Sequence, residues 1–143
     1  MEREKRTEMR LEMDSLSENE EFARVVVAVF LSRLNPTLEE LDDVKTAVSE
    51  AVTNAVIHGY GGGPGTIFIR AAVDGQECTG EIRDDGVGIG DVARAMEPMF
   101  TTDTAGERSG MGFSFMEAFM DQVEVISAPE QGTRVIMKKR IGA

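Results

Sequence analysis

The sequence contains no tryptophan and only one cysteine, one histidine and one tyrosine among 143 residues. A single cysteine, Cys78, excludes a disulfide within the chain and fits a reducing cytoplasm. Cys78 is also a poor candidate nucleophile, because the lone histidine, His58, belongs to a different motif. No apolar run is long enough to cross a bilayer, and residues 1–10 are too charged for a signal peptide. We therefore expect a cytoplasmic protein without a membrane partner.

Basic residues are scarce, with 15 Lys and Arg against 26 Asp and Glu and a net charge of -11. This balance argues against nucleic acid or an anionic membrane as the main partner, and it favours basic protein surfaces. With 41% hydrophobic residues, a chain of this length predicts one domain over residues 1–143 with a core of its own.

Hydrophobic periodicity predicts alternating strands and helices along the first half of the chain. Residues 9–13 alternate apolar and charged side chains and predict a strand. Ser17 with Glu20 forms a capping-box pattern before a helix over residues 22–30, and Thr37 with Glu40 forms a second one before the next helix.

The second half predicts a sheet interrupted by one long loop. Two strands, 66–73 and 77–84, are joined by a turn at Asp74 and Gly75, and Gly80 suggests a bulge in the second of them. Residues 85–110 lack regular periodicity apart from a short helix near 91–96. The pattern then predicts a helix through residues 115–120 and closing strands at 123–127 and 133–139.

The stretch from Ser49 to Gly59 carries the first candidate site. On a helix, Glu50 and Asn54 lie four residues apart on one face, opposite an apolar face that includes Val48 and Val52. A carboxylate beside an amide oxygen suits a hard cation or a proton transfer. In isolation the pair is more typical of a solvated helix face, and Gly59 is a natural helix end.

Two glycine motifs follow. Asp84, at the end of a strand, begins Asp-x-Gly-x-Gly; its carboxylate can accept a hydrogen bond from an exocyclic amino group, which favours adenine over guanine. Gly86 and Gly88 allow the backbone to approach a flat ring. Further on, the segment from Arg108 to Gly112 opens a helix with two glycines and a cation, which is typical of an anion site. Each motif alone is also compatible with an ordinary turn or helix entry.

Taken in this order, the three motifs resemble the ATP site of the gyrase, Hsp90, histidine-kinase and MutL superfamily. The resemblance implies a two-layer α/β sandwich with a mixed, mostly antiparallel sheet and helices on one face. It also implies ATP bound between the helices and a mobile lid over residues 90–109.

The wider sequence resembles the anti-sigma-F factors of endospore-forming bacteria. The similarity rests on residues 17–20, 22–24, 49–55, 58–60, 100–102 and 107–113. It implies a kinase that uses ATP and Mg²⁺, yields ADP and phosphorylates a serine of an anti-anti-sigma protein. It further implies a homodimer that holds a sporulation sigma factor inactive.

The resemblance assigns a role to each matching residue. Glu50 would be the catalytic base and Asn54 the Mg²⁺ ligand. The remaining nucleotide contacts would come from Asp84, Gly86, Gly88, Thr101, Thr133, Ser109, Gly110, Met111 and Gly112, with Arg108 acting on the phosphates as a catalytic residue. Arg24 and Thr53 would dock the protein partners.

Three alternatives share some of these features. A stress-response anti-sigma kinase of the same family would differ mainly in its partners. A nucleotide-gated module could bind sigma without catalysis, although it would have no need for the base Glu50. The ATPase half of a histidine kinase would require a phosphoacceptor-histidine hairpin, and His58 is the only histidine in the chain.

Overall fold

The computed structural model describes residues 6–97 and 112–142 of the chain. Its strands are β1 (Arg6–Asp14), β2 (Thr66–Asp74), β3 (Glu77–Asp84), β4 (Gln122–Ser127) and β5 (Thr133–Arg140). Its helices are α1 (Asn19–Leu31), α2 (Leu38–Asn54), α3 (Val92–Ala95) and α4 (Gly112–Phe119), with a 3₁₀ turn at Ser32–Leu34 and a π-helical turn at Ala55–Gly59. None of the helices in this described part is long and apolar enough to span a membrane.

The five strands form one sheet in the order β1-β2-β3-β5-β4, and every neighbouring pair is antiparallel. The expected α/β architecture with a mixed, mostly antiparallel sheet is therefore confirmed in its class, and the strand pairs among the described residues are all antiparallel. Because side chains alternate between the two faces of a strand, the register places Leu11, Ile69, Ile82 and Val135 in one row on one face. Of these, Ile69, Ile82 and Val135 are buried, which identifies the face that the helices cover.

Helices α1, α2 and α4 supply the other side of the core. The predicted apolar face of α2 is confirmed, because Val44, Val48 and Val52 are buried and Leu41 is partly buried against the same core. Ala55, the last residue of the predicted face, is buried in the π-helical turn that follows. Met116 of α4 is fully buried in the same cluster as Met137 of β5. The core therefore lies between one sheet face and one helix layer, as in a two-layer sandwich.

The opposite face of the sheet carries a row of ion pairs. The Arg70 guanidinium lies 3.3 Å from the Glu8 carboxylate on β1 and 2.9 Å from the Glu81 carboxylate on β3. Glu81 in turn lies 3.2 Å from the Arg134 guanidinium on β5. Alternating charges across four strands suit a face that remains in contact with water.

Only one of the two predicted capping boxes forms. The Glu40 amide donates to the Thr37 hydroxyl and the Thr37 amide donates to the Glu40 carboxylate, at 3.0 and 2.9 Å. The predicted box at Ser17 is wrong: α1 begins at Asn19, and the residue before it makes no side-chain cap. The carboxylate of Glu20, which the box requires, instead accepts a hydrogen bond from Ser49 on α2.

Directly after Asn54, helix α2 widens into the π-helical turn Ala55–Gly59. The Tyr60 amide donates to the Ala55 carbonyl at 2.9 Å, a bond that spans five residues instead of four. The helix thus ends close to the predicted Gly59, but through a wider turn than an α-helix would make. Such turns occur often at functional sites.

The predicted bulge at Gly80 is also wrong. Gly80 pairs in regular register with Ala71 on β2 and with Met137 on β5. It lies beside a cavity of about 10 Å³ whose lining includes Phe30, Leu31 and Cys78. Burial raises the pKa of the Cys78 thiol to about 11, which agrees with the expectation that it is not a nucleophile.

We expect Gly80→Ala to stabilise the protein. A Cβ at this position would meet nothing within 4 Å. The substitution removes backbone freedom from the unfolded chain, so unfolding should require about 0.4–1 kcal/mol more. Urea denaturation measures this change. Gly86→Ala is the matched control, because a Cβ there overlaps the Gly59 carbonyl and should destabilise the fold.

Candidate functional site

A row of polar side chains crosses the covered face of the sheet at one end. Asp84 pairs with Thr133 in the β3–β5 register, and Thr133 pairs with Ser127 in the β4–β5 register. Asp84 and Thr133 are buried, at 3% and 5% exposure, whereas the strand residues farther along this face are apolar. A buried carboxylate and two hydroxyls at the edge of an apolar core are typical of a binding pocket.

The carboxylate of Asp84 is held in place by backbone donors. Its Oδ1 accepts a hydrogen bond from the Gly86 amide at 2.9 Å. Burial nevertheless raises the pKa of Asp84 above its ordinary value of 3.8, and the Gly86 and Thr133 backbone donors only partly offset this effect. A buried acceptor of this kind gains from a ligand that donates a hydrogen bond to it.

The two glycines after Asp84 are required by close backbone contacts within the protein. A Cβ at Gly86 would overlap the Gly59 carbonyl, whose oxygen accepts from the Val87 amide at 2.9 Å. Gly88 has φ of +76°, and a Cβ there would overlap the Ala128 carbonyl. The Asp-x-Gly-x-Gly loop is therefore clamped between the end of α2 and the β4–β5 turn.

Gly59 joins the helix to this polar row. A Cβ on Gly59 would lie only 2.7 Å from the Asp84 Cγ, so the π-helical turn rests directly against the carboxylate. Glu50, Thr53 and Asn54 precede this turn on α2, and all three are half-buried. The structure thus attaches the helix that carries Glu50 and Asn54 to the polar row that contains Asp84.

Arg24 lies on α1, beside the α2 segment that carries Glu50. Its Nε is 3.8 Å from the carboxylate of Glu20, which also accepts the hydrogen bond from Ser49. The Arg24 side chain remains 38% exposed. Arg24 is thus partly exposed, although its Nε is buried, and it is connected through Glu20 to the residue before Glu50.

Several predicted residues lie outside the described residues, namely Thr101, Arg108, Ser109, Gly110 and Met111. The predicted lid falls there too, from residue 98 onward. Gly112 is described and begins α4. At the start of the loop, the predicted short helix is confirmed as α3, with Asp91 accepting from the Arg94 amide at 3.1 Å.

Sequence reasoning missed two polar residues that shape the pocket. Ser127 Oγ donates to the Gly132 carbonyl at 2.7 Å and accepts from the Ile89 amide at 2.8 Å. Ser127 has then used its only proton, so in its third contact, at 2.9 Å, the Thr133 hydroxyl donates to Ser127 Oγ. Tyr60 donates to the Thr66 carbonyl at 2.6 Å and accepts from the Asp85 amide at 2.8 Å. A lone serine on a strand carries no motif, and Tyr60 lies in the matching segment 58–60 without a role assigned to it.

We expect Ser127→Ala to destabilise the protein by about 1–3 kcal/mol, because it leaves the Ile89 and Thr133 donors without their acceptor. Ser15→Ala is the matched control. Ser15 is also buried, but its hydroxyl has no hydrogen-bond partner within residues 6–97 and 112–142. Its removal should be neutral or stabilising in the same denaturation experiment. Equal losses from both serines would contradict the role of Ser127.

Comparison with known proteins decides the family. Residues 14–139 match the model of the histidine kinase-like ATPase domain. The chain is 54% identical over 132 residues to the anti-sigma F factor of Clostridium acetobutylicum, covering 92% of each protein. It is 51% identical over 137 residues to that of Halalkalibacterium halodurans, covering 95% of this chain and 94% of the relative. The chain belongs to the anti-sigma F factor family.

Solved structures agree with this family in fold. The RsbU and RsbW domains of Rv1364c from Mycobacterium tuberculosis superpose with a TM-score of 0.65 at 16% identity, over 94% of this chain and 32% of that one. The catalytic domain of histidine kinase ThkA superposes with a TM-score of 0.57 at 18% identity, over 93% and 96%. The resemblance drawn from the motifs is thus confirmed, and the ATPase domain implies nucleotide binding.

Proposed function

We propose that this anti-sigma F family member is an ATP-dependent serine-protein kinase that also sequesters a sporulation sigma factor. In the proposed cycle it phosphorylates a serine of an anti-anti-sigma protein, which is its antagonist. The observation that carries the proposal is the attachment of α2, with Glu50 and Asn54, to the buried carboxylate of Asp84 through Gly59. Base recognition and a catalytic carboxylate would then belong to one site.

The adenine end of ATP would lie against the polar row. Asp84 would accept a hydrogen bond from the exocyclic amino group, which a guanine carbonyl cannot donate. Thr133 gives its proton to Ser127, so its oxygen faces a ligand as an acceptor, directly or through water. The clamped loop through Gly86 and Gly88 would form the wall beside the ring.

The phosphate end would be held by residues on both sides of the site. Gly112 and the preceding Arg108 to Met111 would take the phosphates, and Thr101 would join the nucleotide contacts. Asn54 would hold Mg²⁺. An amide oxygen such as that of Asn54 suits Mg²⁺, which prefers oxygen ligands. Bound Mg²⁺ would neutralise charge on the transferring phosphoryl group.

Glu50 and the nearby surface would handle the protein partners. Glu50 would accept or orient the proton of the substrate serine as its oxygen attacks the terminal phosphate in line. Arg24 and Thr53 would dock the partner, and the partly exposed guanidinium of Arg24 suits an acidic patch. We further propose that the protein acts as a homodimer in the cytoplasm.

Incubation with labelled ATP, Mg²⁺ and a candidate anti-anti-sigma protein tests the proposal. We expect label on one serine of the substrate, located by phosphosite mapping, and loss of label with Asn54→Ala. Sigma binding without any transfer would favour the nucleotide-gated binding module. Transfer to a stress-response antagonist in preference to a sporulation one would favour the related stress kinase.

A further inference from the structure

The hydroxyl of Ser127 has all of its hydrogen-bonding capacity occupied by the protein. Its oxygen accepts from the Ile89 amide at 2.8 Å, and its proton goes to the Gly132 carbonyl at 2.7 Å. The Thr133 hydroxyl lies at 2.9 Å. A serine hydroxyl has one proton and two lone pairs, so the Thr133 proton fills the second lone pair. Ser127 therefore keeps no donor or acceptor for a ligand, but it determines where the proton of Thr133 points.

The direction of this hydrogen-bond chain is fixed by Gly132. Gly132 is buried and has φ of +73°, and a Cβ there would overlap the backbone carbonyl of Asp84, so its peptide is pressed against the end of β3. Reversing the chain would turn the Ser127 proton toward Thr133. The Gly132 carbonyl would then face an oxygen without a proton, which is costly for a buried acceptor. The Thr133 hydroxyl is consequently held as the donor to Ser127.

Asp84 and Thr133 together present only acceptors to a ligand. They are direct partners in the β3–β5 register, and both are buried on the covered face of the sheet. An ionised carboxylate only accepts hydrogen bonds, and a hydroxyl whose proton is already used also only accepts them. A primary amino group carries two N–H donors, so one amino group can serve both residues.

Asp84 alone would not select an amino purine. Hypoxanthine and guanine carry an N1–H donor beside their C6 carbonyl, and a carboxylate can accept from that N1–H as well as from the amino group of adenine. A base bound in this way directs its C6 carbonyl at the group next to Asp84. That group is the Thr133 oxygen, and two acceptors in contact repel each other.

We propose that Ser127 is a positioning residue that makes the pocket select a 6-amino purine over a 6-oxo purine. It acts through Thr133, whose oxygen accepts directly from the second N–H of the amino group, and it does not contact the base itself. The inference rests on the proposed function, because it takes the polar row of Asp84, Thr133 and Ser127 as the adenine pocket. It adds the residue that excludes the competing purines.

Calorimetric titration of the full chain with ATP and with inosine triphosphate tests the proposal, since the two nucleotides differ only at N1 and C6 of the base. We expect the wild type to prefer ATP. In Ser127→Ala the Thr133 hydroxyl is free to rotate and donate to the C6 carbonyl. The preference for ATP should therefore fall by roughly tenfold, and inosine triphosphate should bind more tightly than it does to the wild type. Ser127→Thr keeps the hydroxyl and should keep the preference of the wild type.

Lost stability by itself would not produce this change. Thr37→Ala is the control, because it removes the N-cap of α2, at the end of the helix far from Asn54, and should leave the preference unchanged. Circular dichroism identifies any variant that does not fold. Thr133→Val then provides a second variant, which removes the acceptor itself and should lower the preference through weaker ATP binding.

Two results would overturn the proposal: a wild type that binds both nucleotides equally, or a preference that neither Ser127→Ala nor Thr133→Val alters. The second result is expected if a water molecule separates the base from Thr133, because water can donate to both. Phosphorylation of the anti-anti-sigma protein by the same wild-type preparation separates this inference from the proposed function. A preference for ATP without transfer overturns only the kinase, whereas transfer with a preference that both variants retain overturns only the role of Ser127.

Discussion

Glu50→Ala is expected to slow phosphorylation of the anti-anti-sigma serine by roughly 10²–10⁴-fold, the usual contribution of a general base. ATP and Mg²⁺ binding should largely remain, because Asn54 and Asp84 are unchanged. Sigma binding should remain as well, so the variant becomes an inhibitor that cannot inactivate its antagonist. Single-turnover transfer from labelled ATP measures the chemical step without the contribution of product release.

Asn54→Ala is the matched control on the same helix face. It should lose Mg²⁺-dependent ATP binding and phosphorylation together, whereas Glu50→Ala loses phosphorylation alone. The two half-buried residues lie one helical turn apart, so a general disturbance of α2 would affect both assays in both variants. Transfer by Glu50→Ala at close to the wild-type rate would show that Glu50 is only a surface residue of the helix.

Asp84→Asn is expected to change ligand affinity and stability in opposite directions. Loss of a charged acceptor should weaken ATP binding by on the order of 1.5–3 kcal/mol, or about 10–150-fold. The ligand-free variant should unfold at a higher temperature than the wild type at pH 7. The amide carries no charge, so it avoids the cost of burying a charged group that raises the pKa of Asp84. Calorimetry measures the affinity, and thermal unfolding without nucleotide measures the stability.

The raised pKa of Asp84 also predicts how the stability difference between Asp84→Asn and the wild type changes with pH. The pKa of Asp84 is higher in the folded protein than in the unfolded chain. Protonated Asp84 therefore favours the folded state, and this contribution to stability is fully present below the unfolded-state pKa. That contribution is lost as pH rises through the folded-state pKa. The stability advantage of Asp84→Asn should therefore be large at neutral pH and vanish near pH 3. An advantage independent of pH, or unchanged ATP affinity, would remove Asp84 from the proposed base pocket.

The sequence correctly predicted those elements whose stabilising contacts lie within a few residues of each other along the chain. Apolar spacing placed α2 and its buried face, and the Thr37 capping box marked its start because both partners lie within one turn. The Ser17 box failed because Glu20 has a competing partner 29 residues away on another helix. The bulge prediction at Gly80 failed for a related reason. A glycine in a strand shows only that a side chain is absent, and the pairing with both neighbouring strands is needed to show that the hydrogen-bond ladder is continuous.

Individual residues of the candidate site could be predicted from the sequence, but the contacts that bring them together could not. Asp84, Gly86 and Gly88 were identified from a motif, but their glycine requirement comes from the Gly59 and Ala128 carbonyls, which are distant in sequence. Ser127 joins Ile89, Gly132 and Thr133 through contacts that depend on the strand order. No periodicity in a single chain records which strands become neighbours.

The π-helical turn makes the position of Gly59 depend on the number of residues in the turn, as well as on their identity. One extra residue in a helical turn rotates everything that follows by about 100° around the helix axis. Gly59 meets Asp84 because of that rotation, although neither residue takes part in the widened hydrogen bond between Tyr60 and Ala55. A relative that lacked one residue between Asn54 and Gly59 would keep every candidate side chain and still separate the helix from the pocket. In comparisons among family members, a gap in this segment therefore carries more weight than most substitutions beside it.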